Sequence, residues 1–130
     1  MKPALYLKIE WFGPSGSLKD RIYLWMFERA EARSDLKPGM RVLECSTGNA
    51  GIACAFVAAV KGYPCVLVMP DNYSPERRAT LRAFGARLVL TPAAEGMRGA
   101  VERARQIRGE LPDAYMPQQF DNPANPRVHE

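Results

Sequence analysis

Lys19 sits in an unusual place for a cation. It follows the turn-forming run Pro14-Ser15-Gly16-Ser17 and stands at the mouth of an apolar, helix-periodic stretch. The start of a helix carries partial positive charge, so a cation there costs from a few tenths to about 1 kcal/mol. Helix starts and partial desolvation both favour the neutral form of an amine. A neutral amine, aimed by a tight bend, is a nucleophile that can condense with an aldehyde. The competing reading is an ordinary exposed lysine on a first helical turn.

A second run able to do chemistry is Ser46-Thr47-Gly48-Asn49-Ala50-Gly51. It links a short apolar strand to an apolar helix, a junction that turns backbone N–H groups and hydroxyls toward an anion. Spacing alone leaves two readings open, a helix cap and an anion site. The run lacks the G-x-G-x-x-G dinucleotide pattern, and Gly13 to Lys19 lacks the G-x-x-x-x-G-K-[ST] phosphate loop. A third candidate is the loop Met116 to Phe120. An amine and an anion cradle are thus on offer, and the aldehyde is not named by these residues.

The elements that must position them alternate. Ala4 to Trp11 reads as a strand. Ser17 to Arg33 is helical through Leu18, Ile22, Trp25, Met26 and Ala30. Arg41 to Ser46, the run "PCVLVMP", the run "ARLVLTP" and the short piece "AYMPQQF" read as extended segments. Between them lie the helix Ile52 to Val60, closed by Lys61-Gly62, and a helix capped by Ser74 with Pro75 at its first position. Gly96 to Glu110 is amphipathic through Met97, Ala100, Val101, Ala104 and Ile107. This order predicts an α/β fold: an open, three-layer, mainly parallel sheet of about four strands with helices on both faces. Hydrophobic strands suit a sheet covered on both sides, and the helix from Ile52 should be deeply buried. In such sheets ligands bind at the carboxyl ends of the strands. The three candidate loops are expected there.

Bulk properties narrow the classes. A chain of 130 residues fits one domain and can bury a core without cross-links. The net charge is +4, but the arginines are scattered and interleaved with glutamates, with no aromatic-studded basic stripe. Solvated helix faces, including the one carrying Arg77 and Arg78, explain them better than nucleic acid does. Cys45, Cys54 and Cys65 are odd in number, widely spaced and set in apolar runs. That pattern argues against a disulfide scaffold and a zinc site, and predicts buried free thiols in a cytoplasmic protein. No signal peptide or membrane-length apolar run is visible, so no membrane partner is expected. His129 is expected in a turn rather than as a metal ligand.

At this point the residues resemble a known family. The stretches "GPSGSLKDR" (13–21), "CSTGNAGI" (45–52), "MPDNYSPERRATLRAFGARLVLTPAAEGMRGA" (69–100) and "QQFDNPANPRVH" (118–129) are similar, in order, to motifs of cysteine synthases (O-acetylserine sulfhydrylases) and cystathionine β-synthases. The resemblance spans nearly the whole chain. It implies pyridoxal phosphate chemistry on the lysine-bearing N-terminal domain of a fold type II enzyme. Residues 1–130 would then form that single domain, and the Gly-rich phosphate loop would belong to a C-terminal half. Lys19 matches the lysine that binds the cofactor and moves the substrate's α-proton. Asn49 matches the asparagine that bonds the cofactor's ring oxygen. Ser46, Thr47, Gly48, Asn49 and Gln119 match groups that grip the substrate carboxylate. The implied reaction converts O-acetylserine and sulfide to cysteine and acetate. Implied partners are an amino-acid substrate, sulfide, the C-terminal tail of serine acetyltransferase and a second copy in a homodimer. The chain departs from the family at Gly13, where Asn is usual, at the reversed pair Ser46-Thr47, and at Ala50, where a threonine is usual. The loop is also similar to that of threonine synthases. A second reading is a non-catalytic remnant that binds a carboxylate-terminated peptide.

Overall fold

The computed structural model describes residues 3–130. Four parallel strands, β1 (Arg41–Cys45), β2 (Cys65–Pro70), β3 (Arg87–Thr91) and β4 (Ala114–Tyr115), form one sheet in the order β3-β2-β1-β4. The helices are α1 (Lys19–Ala32), α2 (Asn49–Lys61), α3 (Pro75–Ala83), α4 (Gly96–Glu110) and α5 (Ala124–Arg127). Period-two alternation divides the strand side chains between two cores. Val42, Leu67 and Met69 pack with α1 and α2 on one face. Leu43, Val66 and Val68 pack with Ala100, Ala104 and Ile107 of α4 on the other. This is the three-layer α/β arrangement the sequence predicts. Each large apolar side chain fully buried in it contributes about 1.5–3 kcal/mol.

β2 lies second from one edge and buries all six of its residues. β3 is an edge strand, so its apolar residues are covered less well, and Leu90 is exposed. α2 buries Ala50, Gly51, Ala53, Cys54, Ala55, Val57 and Ala58, with Ile52 and Phe56 half buried, and Val60 in its last turn stands in solvent. The helix is therefore buried along most of its length rather than throughout. In α1 the seam is Ile22, Tyr23, Met26, Phe27 and Ala30, at helical spacing. Tyr23 and Phe27 join the expected core positions, while Leu18 is exposed. Trp25 is half buried, with the Arg29 guanidinium over its ring at 4.2 Å.

One expected element does not form. Ala4 to Trp11 makes no ladder, and Leu5, Tyr6, Leu7 and Trp11 are exposed. Strand-like patterning needs a neighbouring strand to pair with, and among the described residues none lies beside this segment. Its end is tied down by Glu10, which accepts a hydrogen bond from the Arg21 guanidinium at 2.6 Å. The same guanidinium donates to the Val128 carbonyl at 2.8 Å and lies 3.2 Å from His129 Nδ1. His129 is in a turn, as its sequence suggests.

The cysteines differ from expectation at one position. Cys54 and Cys65 are buried free thiols, while Cys45 is half buried. Burial, with the Glu44 carboxylate adding to it, pushes the Cys45 thiol up to about 11. Among the described residues no helix is long and apolar enough to cross a membrane.

Candidate active site

Topology decides where α1 begins. Its last residue leads through a short connection to the start of β1, so α1 runs back along the sheet, and Lys19 lies at the carboxyl end of β1. A hydrogen bond fixes this placement: Tyr23 Oη donates to Glu44 Oε2 at 3.1 Å. Tyr23 is one helical turn past Lys19, and Glu44 is two residues before Ser46. β1 is also where the sheet order reverses. The chain proceeds from β1 to β2 and β3 on one side, and β4 lies on the other. The crevice beyond such a switch point is where open α/β sheets bind ligands. The 46–51 loop leaves β1 there, and the 116–120 turn leaves β4 beside it.

The bend before Lys19 is built from local hydrogen bonds. Gly16 N–H donates to the Gly13 carbonyl at 2.9 Å, and Gly16 takes a φ of +75°, which a side chain would strain. The Ser15 backbone N–H donates to Asp20 Oδ2 at 2.9 Å, and the Ser15 hydroxyl donates to Oδ1. Asp20 also places a negative charge in the first turn of α1, which offsets the unfavourable position of a neighbouring cation. At Gly13 a Cβ would come within 2.6 Å of Asp20 Oδ2, so any larger residue requires this carboxylate to move. Lys19 is half buried, and its backbone N–H donates to Ser17 Oγ at 3.3 Å. Among the described lysines, Lys8 and Lys37 are exposed and Lys61 is paired with Glu31 at 2.8 Å.

The 46–51 loop is both cap and open cradle. Ser46 Oγ accepts from Gly51 N–H at 2.9 Å and from Gly48 N–H at 3.4 Å, closing the first turn of α2. A Cβ at Gly51 would press on the Ser46 carbonyl at 3.3 Å, so a side chain there requires that carbonyl to give by a few tenths of an ångström. Ser46 is buried, Thr47 and Gly48 are half buried, and Asn49 is exposed. The buried hydroxyl therefore holds the loop, while Thr47 and Asn49 keep access to the crevice. Replacing Ser46 by Ala should cost about 0.5–2 kcal/mol of unfolding free energy, as loss of a cap does. Urea denaturation of the two chains measures it, and equal midpoints would refute the capping role.

Arg77, expected on a solvated helix face, also reaches the 46–51 loop. Its guanidinium, though exposed, crosses from α3 to donate to the Thr47 carbonyl at 2.9 Å. Ser74 caps α3 by accepting from Arg77 N–H at 3.3 Å, as expected. Gln119 is buried, its carbonyl accepts from Asn125 Nδ2 at 2.8 Å, and its side-chain Oε1 has no partner. A cavity of about 150 Å³ lies beside it, lined also by Met97, Val101 and Phe120. A larger hollow of about 650 Å³ lies along edge strand β3 and α4, lined by Thr91, Glu95, Arg98 and Glu102. It lies away from the reversal in strand order and has mixed charge, while the smaller cavity adjoins Gln119 and the end of β1 on the α4 side of the sheet.

Glu44 was not singled out by its sequence. It is the lone acid in the strand "RVLEC", and it is buried. Cys45 N–H donates to its Oε1 at 2.9 Å. Burial raises this carboxyl above its ordinary value of 4.5, while the Cys45 N–H, Tyr23 O–H and Gln118 amide pull it down by less. A carboxyl raised by folding contributes stability below its unfolded pKa and loses it as pH climbs through the folded one. The Glu44→Gln chain should therefore gain stability relative to the native chain as pH rises from about 4 to about 8. Urea midpoints across that range test this, and a pH-independent difference would contradict it.

These residues fit pyridoxal phosphate at its reactive end. Lys19 makes no ion pair among the described residues and could meet the aldehyde, and the N–H groups at the start of α2, where the 46–51 loop leaves β1, could meet an anion. Comparison with known proteins agrees. The family model described as "Pyridoxal-phosphate dependent enzyme" matches residues 1–130. A cysteine synthase of Staphylococcus aureus is 51% identical over 126 residues, which are 97% of this chain and 40% of that protein. The crystal structure of O-acetyl serine sulfhydrylase isoform 3 from Entamoeba histolytica superposes with a TM-score of 0.89 at 39% identity, covering 94% of this chain and 37% of that one. That of an O-ureido-L-serine synthase does so with a TM-score of 0.89 at 48% identity, covering 94% and 38%. The chain thus spans about 40% of the length of the curated relatives it matches. With its parallel sheet, its lysine at the mouth of α1 and this match from end to end, the chain belongs to the pyridoxal-phosphate dependent enzyme family, with the fold of its type II members.

Proposed function

We propose that this chain is the lysine-bearing portion of an enzyme that replaces the β-substituent of an activated serine, converting O-acetylserine and sulfide to cysteine and acetate. One observation supports the reading: the 46–51 loop and the 116–120 turn follow β1 and β4 at the switch point, and Tyr23, one turn past Lys19, is hydrogen-bonded to Glu44 near the end of β1. Pyridoxal phosphate, when bound, supplies an aldehyde for the amine and an electron sink for charge developing at the substrate's α-carbon. Lys19 Nζ would hold it and, once displaced by the substrate amine, take the α-proton. Asn49 Nδ2 would donate to its ring oxygen. The N–H groups at the start of α2, with Thr47 Oγ1 and Gln119 Nε2, would bind and orient the substrate carboxylate. With the α-proton removed, acetate leaves from the β-carbon and sulfide bonds there, and the proton returns to the α-carbon. The cofactor phosphate would be anchored by the length that the relatives have and this chain does not span.

The test is calorimetric titration of the cofactor-loaded chain with O-acetylserine, alongside an assay for cysteine and acetate in equal amounts. Gln119→Ala should weaken O-acetylserine binding about tenfold, the effect of losing a hydrogen bond to a charged group. Equal binding by the two chains would refute the carboxylate site. Equally tight binding of a carboxylate-terminated peptide with and without pyridoxal phosphate, with no turnover, would replace the enzymatic reading by the binding one.

A further inference from the structure

Glu44 makes two hydrogen bonds to the elements that carry the site and borders a third. Through Tyr23 Oη, at 3.1 Å, it holds α1 one turn below Lys19. Through Cys45 N–H, at 2.9 Å, it holds the end of β1 from which the 46–51 loop departs. Glu44 also lines, together with Gln118 and Gln119, the small cavity beside the 116–120 turn. Gln118 takes a φ of +51°, a conformation rare for a residue with a side chain, so that turn needs support from its surroundings. Both Tyr23 and Glu44 are buried.

A carboxylate is a poor choice for packing alone. Burying it opposes folding unless its oxygens are well used. An apolar residue of similar size would fill the space but leave the Tyr23 hydroxyl and Cys45 N–H without this acceptor. A carboxylate has two oxygens, and here each accepts from a different element, Oε2 from Tyr23 of α1 and Oε1 from the Cys45 N–H at the end of β1. Gln has one accepting oxygen and must turn an NH₂ group toward one of those donors.

We infer that Glu44 is a positioning residue: its carboxylate sets the separation between the Lys19 amine and the loop pair 46–51 and 116–120 that receives the substrate carboxylate. The inference rests on the reading of these loops as the substrate site. It goes further in assigning their mutual placement to one buried acid that itself touches neither substrate nor cofactor.

The test uses the 130-residue chain. Hydrogen–deuterium exchange without cofactor is compared for the native chain, Glu44→Gln and Tyr23→Phe. Exchange should rise about tenfold in segments 46–51 and 116–120 of Glu44→Gln, the equivalent of losing one charge-assisted bond, and stay unchanged in β3 and α4. Tyr23→Phe should loosen the first turns of α1, and the double variant should exceed Glu44→Gln only slightly, since both changes break one network. Borohydride-fixed labelling by pyridoxal phosphate is read in parallel and should slow in Glu44→Gln while remaining on Lys19. Unchanged exchange in the two segments, or a uniform rise across all elements, would overturn the positioning role. Labelling that Lys19→Ala leaves intact would instead overturn the site reading, and so the two failures are distinguishable.

Discussion

Replacing Lys19 by Ala is expected to abolish the visible absorption that pyridoxal phosphate gains on joining the native chain. The expectation follows from position. Lys19 is held at the mouth of α1 by the bend that Gly16 and the Ser15–Asp20 hydrogen bonds create. Lys61, the other described lysine that is half buried, is ion-paired to Glu31. On the proposed reading, removal of Lys19 deletes both the attachment point and the group that moves the α-proton. Loss of a positioned acid–base group alone lowers turnover by about 10²–10⁴-fold. Titration of each chain with pyridoxal phosphate in a spectrophotometer measures the first effect, and an assay for cysteine measures the second. The fold should survive, because Lys19 lies outside both cores. A native-like absorption from Lys19→Ala would remove this residue from the site.

The second large effect is on stability. Phe27 is fully buried on the inner seam of α1 and meets the Tyr63 ring edge-on, with centroids 6.1 Å apart. Phe27→Ala removes that contact and leaves a cavity between α1, α2 and the sheet. Substitutions of this kind cost about 3–5 kcal/mol, against a total stability of about 5–15 kcal/mol for a domain. The variant should melt far below the native chain and populate unfolded forms at physiological temperature. Thermal and urea denaturation test this, and a loss under about 1 kcal/mol would show that the α1 seam is not what holds the first helix on the sheet.

Much of the architecture is readable from local chemistry. The alternation of apolar strands with periodic helices implies a parallel sheet, because crossover connections need a helix between strands. Gly62 and Ser74 mark helix ends because their requirements are met within a few residues of chain. Ser46 shows the limit of such reading. Spacing leaves it as either cap or ligand; its buried oxygen accepts from the Gly51 N–H in the first turn of α2, while Thr47 is half buried and Asn49 exposed. Ala4 to Trp11 carries strand-like residues, yet pairing is a property of two segments and one alone cannot supply it. Glu44 and Arg77 escaped notice because their partners are distant in sequence. Tyr23 is 21 residues from Glu44, and Thr47 is 30 from Arg77. The available signal for Glu44 is its acidic side chain between Leu43 and Cys45 in a strand that is otherwise apolar after Arg41.

The most direct measurement of the central claim is the site of covalent attachment. Pyridoxal phosphate is added to the native chain, the linkage is fixed with borohydride, and the digested chain is mapped by mass spectrometry. The account predicts a single modified lysine, Lys19, with the label suppressed by excess O-acetylserine. A label found chiefly on Lys8, Lys37 or Lys61, or spread over them and indifferent to O-acetylserine, would contradict it.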